Sequence, residues 1–155
     1  NAVAVATSDK NNQPNVRMVL LKGLSDRGFV FYTNFNSKKG EELKNNQKSS
    51  MCFHWKSLRR QVRVIGKVEE VTSKEADDYY NSRPYKNRIS AWASSQSQIL
   101  DKRETFLNKI KEFEKKYSDE KNVPRPPHWS GWRLIPDQIE FWVDGEGRIH
   151  ERLNY

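Results

Sequence analysis

The chain has 155 residues, 35% hydrophobic and 12% aromatic, with 28 Lys and Arg against 20 Asp and Glu for a net charge of +8. That length suits one domain with a sizeable core; no apolar run approaches the ~20 residues of a membrane span, no signal-peptide pattern is visible at the start, and the single cysteine, Cys52, excludes an intrachain disulfide and points to a reducing, cytoplasmic setting. The basic balance admits nucleic acid, acidic lipid or phosphorylated small molecules, but the densest cluster, 102–121, mixes Glu with Lys on a helical period and reads as a solvated helix face.

Ala2 to Thr7 alternates small and apolar residues, Asp9 to Pro14 is a polar turn, and Val16 to Leu21 returns, which predicts a hairpin. Asp26-Arg27-Gly28 turns the chain into a strand over Phe29 to Thr33, and Ser37 caps a short helix through about Asn45. Strands follow at Ser50 to Trp55 and Gln61 to Val71, the latter with Val62, Val64, Gly66 and Val68 on one face, so five strands precede any long helix. Thr72 with Glu75 forms a capping box for a helix toward Ser82 that Pro84 stops. Asp101 with Glu104 opens another, whose stripe of Phe106, Ile110, Phe113 and Tyr117 suits core packing. Val123-Pro124-Arg125-Pro126-Pro127 is a stiff connector to strands near Trp132–Leu134 and Gln138–Val143. A Gly145 to Gly147 turn then leads into a last extended run in which Arg148, His150 and Arg152 share a face. No internal repeat or second domain is visible. Antiparallel strands that close on themselves, with helices inserted late, predict a mainly β fold: a small Greek-key-like barrel with added helices.

Arg148, His150 and Arg152 on one face repel one another unless an anion or electron-rich ligand lies against them. The competing reading is an edge strand carrying solvated charge. His54, His128 and His150 are far apart in sequence with no Cys or carboxylate at ligand spacing, so no metal site is expected. Neither a Gly-rich dinucleotide fingerprint nor a nucleophile elbow occurs. A basic, aromatic-rich barrel can also stack bases, but the five Trp fall in differently patterned segments and not along one groove, so no nucleic-acid partner is expected.

Arg17-Met18-Val19-Leu20-Leu21-Lys22, Phe31-Tyr32-Thr33-Asn34, Ser37-Lys38-Lys39-Gly40, Arg60-Gln61-Val62-Arg63-Val64, Tyr79-Tyr80-Asn81-Ser82-Arg83-Pro84, Ser95-Gln96-Ser97, Ile139-Glu140-Phe141-Trp142 and Arg148-Ile149-His150-Glu151-Arg152 occur in this order across nearly the whole chain. Their order and spacing closely resemble the pyridoxine 5′-phosphate oxidases, an FMN enzyme family. The resemblance implies an FMN-binding split barrel over residues 1–155, with relatives carrying an additional N-terminal helical segment and a C-terminal strand ending. It implies FMN contacts at Arg17, Met18, Val19, Leu20, Tyr32, Thr33, Lys38, Lys39, Gln61, Gln96, Ser97, Trp142 and Arg152. Substrate contacts fall at Lys22, Tyr79, Arg83, Asn87, Arg148, Ile149 and His150, with Arg148 and His150 as the catalytic candidates.

The chemistry of those residue types agrees. Arg17, Lys38, Lys39, Thr33 and Ser97 can surround a phosphate, Gln61, Gln96, Trp142 and Arg152 a ring system, and Tyr79 and Arg83, four apart on a helix, can share a second phosphate. The implied reaction removes a hydride equivalent from C4′ of pyridoxine or pyridoxamine 5′-phosphate to the flavin, giving pyridoxal 5′-phosphate, with O2 reoxidising FMN to yield H2O2. The implied assembly is a homodimer with FMN where two barrels meet. Departures are Lys38 where Arg is usual, Asn87 for Ser, Ser90 for Gly and Arg88 for Gln. A split-barrel flavoprotein acting on another ligand would need Arg17, Thr33 and Lys39 but not Arg83, Arg148 or His150.

Overall fold

The computed structural model describes residues 2–155. The predicted hairpin is β1 (Ala2–Ser8) with β2 (Pro14–Leu20), paired antiparallel from Ala2↔Leu20 to Ser8↔Pro14. A short β3 (Gly23–Ser25), not foreseen from the sequence, pairs with β4 (Gly28–Asn34). β5 (Lys48–Trp55), β6 (Arg60–Glu70), β7 (Trp129–Val143) and β8 (Glu151–Asn154) complete one antiparallel sheet. The hydrogen-bonded path runs β2-β1-β5-β6-β7-β4-β3, with β8 added to β7.

The two ends of that path are joined in sequence by only Leu21 and Lys22, and the Lys22 N–H donates to Val30 of β4 at 2.8 Å. The sheet must therefore curl until its ends meet, which makes the barrel. Its interior is the core: Val3, Val5, Phe31, Leu43, Met51, Val64, Trp132 and Leu134 are essentially fully buried. Each such side chain contributes roughly 1.5–3 kcal/mol by leaving water.

One long strand stands where the sequence suggests two. Pro136 has no N–H to give a ladder, so it reads as a break. Here it lies opposite Gly66, at the register shift between Ile65 and Gly66. The shift absorbs the missing donor. A Cβ on Gly66 would sit 1.9 Å from the Ile135 carbonyl oxygen, so only glycine allows the strands to approach there. β7 thus continues through the bend, its first half paired with β4 and its second with β8.

Four helices lie on this sheet. α1 (Lys38–Asn45) starts as expected, with the Ser37 hydroxyl accepting from the Gly40 N–H. α2 (Ser73–Asn81) carries the Thr72–Glu75 capping box. It ends at Asn81 with Ser82 as C-cap, before Pro84 as expected, and Pro84, with φ of −53°, is the N-cap of a further helix the sequence did not reveal, α3 (Tyr85–Ala93). α4 (Arg103–Lys116) begins at Lys102 with no side-chain cap, so Asp101 does not play that role. The expected α4 stripe is half-buried, with Phe113 and Tyr117 packed 5.5 and 5.2 Å from Trp92 of α3. Among the described residues no helix is long and apolar enough to cross a membrane.

The expected strand at 148–152 begins only at Glu151. Residues 146–148 form a 3-10 turn in which Gly147 and Arg148 take positive φ values of 61° and 64°. The short-range cause is the Gly145–Gly147 pair, whose freedom extends the turn one residue further than the alternation suggests.

Candidate active site

A cavity of about 420 Å³ opens between the exposed edge of β2, the strand β4 and helices α2 and α3. At one end Lys39, in the first turn of α1, is only 8% exposed. Its ammonium donates to the hydroxyl of Thr33, to Ser37 Oγ at 3.1 Å and to Gln96 Oε1 at 2.9 Å. None of these partners is charged. Burial, and then repulsion from Arg17, pull the Lys39 ammonium down to about 8 against a smaller opposing pull from Glu42. A buried cation so placed stabilises any anion that reaches it.

Arg17 is committed elsewhere. It pairs with Glu42 at 3.0 Å and also donates to the Thr7 hydroxyl. Burial raises the Glu42 carboxyl, but hydrogen bonds from Thr7, Asn15 and Arg17 outweigh that and hold it below its ordinary value. Glu42 thus neutralises Arg17 and leaves Lys39 as the uncompensated charge at this end.

The other end is aromatic. Tyr32 stacks on Tyr79 at 4.1 Å and on Trp129 at 5.4 Å, and Tyr80 meets Trp129 edge-on. The Arg83 guanidinium lies 4.9 Å from the Trp129 ring centre, and Lys22 Nζ stands 5.8 Å from that of Tyr79. Arg83 Nη1 is buried with no hydrogen-bond partner, and no carboxylate among the described residues pairs with this side chain. Burial lowers its pKa from the ordinary value. An orphaned guanidinium N–H on a cavity wall is a vacant half of an anion contact.

Of the expected residues, Met18, Val19, Leu20, Lys22, Tyr32, Thr33, Lys39, Tyr79, Arg83 and Gln96 line this one cavity. Arg17, Lys38, Asn87 and Ser97 do not; the last three are exposed. Ser97 sits in a turn with φ of 65°. Asn34, Ser90, Ala91, Ser94, Phe106 and Trp129 also line the cavity and were not foreseen as site residues. Trp129 carries no local signal, since only its stacking on β4 and α2 gives it a role, whereas Ser90 stood out as a departure from the family pattern.

The remaining residues form a second group. Gln61 pairs with Trp142 across β6 and β7, and Trp142 with Arg152 across β7 and β8, so three strands carry them in one row. Gln61 and Trp142 border a cavity of about 680 Å³ with Trp55, Phe141, Leu153 and Tyr155, and it shares no lining residue with the first. Arg152 Nη1 lies 3.3 Å from Glu140. The His150 ring is 4.8 Å from that of Trp142, while Arg148 and Ile149 are exposed in the preceding turn. Within one chain the two groups are separate. Among the described residues no cluster of His, Cys, Asp and Glu could hold a metal.

Residues 1–117 match the family described as pyridoxamine 5′-phosphate oxidase, and residues 129–155 match the pyridoxine 5′-phosphate oxidase C-terminal dimerisation region. A pyridoxine/pyridoxamine 5′-phosphate oxidase of Pelagibacter ubique is 64% identical over all of this chain and 74% of its own length. One of Agrobacterium fabrum is 56% identical over all of this chain and 75% of its own. Among solved structures, PhzG from Burkholderia lata 383 in complex with tetrahydrophenazine-1-carboxylic acid superposes with a TM-score of 0.92 at 30% identity, covering 99% of this chain and 75% of that one. A pyridoxamine 5′-phosphate oxidase-related, FMN binding protein from Nostoc punctiforme shares the fold at a TM-score of 0.72 and 14% identity, over 99% of this chain and 87% of its own. With this split-barrel fold, and with relatives so similar over its full length, the chain belongs to the pyridoxamine 5′-phosphate oxidase family of oxidoreductases.

Proposed function

We propose that this protein binds FMN and oxidises pyridoxine or pyridoxamine 5′-phosphate to pyridoxal 5′-phosphate, with O2 as acceptor and H2O2 as by-product. One observation carries the reading: a single cavity holds cations without carboxylate partners at both its ends, Lys39 at one and Arg83 with Lys22 at the aromatic one. Two phosphates, one on the cofactor and one on the substrate, call for two such positions.

The residues fit the cofactor. Lys39, Thr33, Ser37 and Gln96 present an ammonium, two hydroxyls and an amide around one point, which suits the FMN phosphate. When bound, FMN supplies the two-electron acceptor for C4′ and passes the electrons to O2. The chain's own work is positional. Tyr79, Arg83 and Lys22 hold the substrate phosphate, which fixes the distance of the pyridine ring from the cofactor. Arg148 and His150 orient its reacting face.

Gln61, Trp142 and Arg152 belong to the same function through a second copy of the chain. Their separation from the Lys39 cavity, together with the match of residues 129–155 to a dimerisation region, supports a homodimer in which one subunit's row completes the other's cavity. The test is direct: the purified protein releases FMN on denaturation and converts pyridoxine 5′-phosphate to the aldehyde with matching O2 uptake. A colourless protein that takes up no FMN overturns the cofactor reading. A yellow protein inert toward both phosphorylated substrates overturns the substrate reading.

A further inference from the structure

We propose that Asp144 is the positioning residue for His150: it fixes the imidazole with its proton on Nδ1, leaving the Nε2 lone pair to face the reacting ligand. The proposal rests on the reading of His150 as a group at the reacting face, and it adds a residue that no motif singled out.

The geometry is specific. His150 Nδ1 lies 3.0 Å from Asp144 Oδ1 and 3.3 Å from the Gly145 backbone nitrogen. These two contacts ask for opposite states of one atom. A carboxylate accepts, so Nδ1 must carry a proton to bond Asp144; an N–H donates, so Nδ1 must be bare to bond Gly145. The carboxylate contact is shorter and charge-assisted, which makes it the stronger. Nδ1 therefore holds the proton, and Nε2 is the acceptor.

Asp144 is itself held. Arg59 Nε donates to its Oδ2 at 2.7 Å, and the Asp144 N–H donates to the Arg59 carbonyl at 3.1 Å. Arg59 takes a left-handed φ of 50° at the end of the 3-10 turn between β5 and β6, a conformation rare for a residue with a Cβ. That turn aims the guanidinium at Asp144, and Arg59 occupies one carboxylate oxygen while His150 takes the other. The ring centre also lies 4.8 Å from that of Trp142, on a residue that is otherwise exposed. A carboxylate at one nitrogen sets the ring's orientation, as it does for imidazoles in other enzymes.

The experiment is 15N NMR of histidine-labelled, FMN-loaded protein at a pH where the imidazoles are neutral. Only three histidines are present, and the His150 signals are assigned by their loss in His150→Gln. The wild type should show Nδ1 protonated and Nε2 bare. Asp144→Ala should move the proton to Nε2 and lower kcat on the order of tenfold, with KM and FMN occupancy little changed; Asp144→Asn, whose amide oxygen still accepts, should keep the Nδ1 tautomer and recover part of the rate. Arg59→Ala removes the group that holds Asp144 and should shift the tautomer in the same direction as Asp144→Ala, by less. A wild-type Nε2–H tautomer, or an Asp144→Ala variant with unchanged tautomer, would each overturn the proposal. The NMR readout needs no turnover, so a protein inert toward the phosphorylated substrates defeats the functional reading without touching this one.

Discussion

Lys39 is 8% exposed with three side-chain oxygens around its ammonium, whereas Arg152 lies exposed on the outermost strand with a single carboxylate, Glu140, 3.3 Å away. The first group is assembled by one chain: strand β4, helix α1 and the loop carrying Gln96 converge on it. The second, Gln61, Trp142 and Arg152, is aligned by sheet register but open to solvent and bordered by exposed Phe141, Leu153 and Tyr155. A closed half and an open half teach that the Lys39 end is preorganised by one chain, while the Trp142 row, on the proposed reading, is completed by a second copy.

The strongest way to break that comparison is to ask whether the open half needs a partner. If FMN bridges two subunits, it must tighten the dimer by mass action; at a free concentration a hundred times its Kd the linkage is worth about 2.7 kcal/mol per site, or roughly a hundredfold. Sedimentation with and without FMN checks it. A monomer that stays monomeric while holding one FMN tightly would show that the open half is complete as it stands.

Within the closed half, Lys39→Ala removes the buried cation that Thr33, Ser37 and Gln96 surround. FMN affinity should fall by about 1 to 3 kcal/mol, the scale of a lost charge-assisted hydrogen bond. Fluorescence titration measures this, and an unchanged Kd takes Lys39 out of the site. Arg83→Ala probes the same cavity from its aromatic end. Its protein should remain yellow while KM for pyridoxine 5′-phosphate rises about tenfold and kcat changes less. Loss of FMN with an unchanged KM would reverse the roles of the two ends.

What the sequence shows of this arrangement follows the range of the forces involved. The β1–β2 hairpin, the Ser37 and Thr72 caps and the apolar face of β6 are set by neighbours within a few residues, and all are legible. Pro84 marks the end of α2 correctly but gives no sign of the helix that starts after it. Pro136 is misleading because a missing N–H marks a stop only if the structure needed that donor, and a register shift removes the need. The ligands of the cavity are legible as residue types in a family pattern, but their grouping is not. That Lys39 and Arg83 share a cavity while Trp142 and Arg152 do not depends on the order in which the strands curl. Trp129 acquires its role only from a partner distant in the chain, Tyr32, and Asp144 is held by one, Arg59.

The smallest expected effect is on the stability of the FMN-free protein, and it tests whether the closed half is strained without its anion. Lys39 has a folded value of about 8 against an ordinary 10.5. Between those values the unfolded chain holds the proton more firmly than the folded one, so stability rises with pH through this window; below about 8 the whole cost of burying the charge is present. Lys39→Met should remove that cost. The FMN-free variant should melt a few degrees higher than wild type at neutral pH, with the difference shrinking as pH climbs from 8 toward 10. FMN should reverse the order, because its phosphate makes the buried ammonium an asset. Melting curves from pH 7 to 10, with and without FMN, read both signs. A Lys39→Met variant that melts below wild type in the absence of FMN would show that Thr33, Ser37 and Gln96 compensate the ammonium fully, and the contrast between the two halves would then lie in exposure alone.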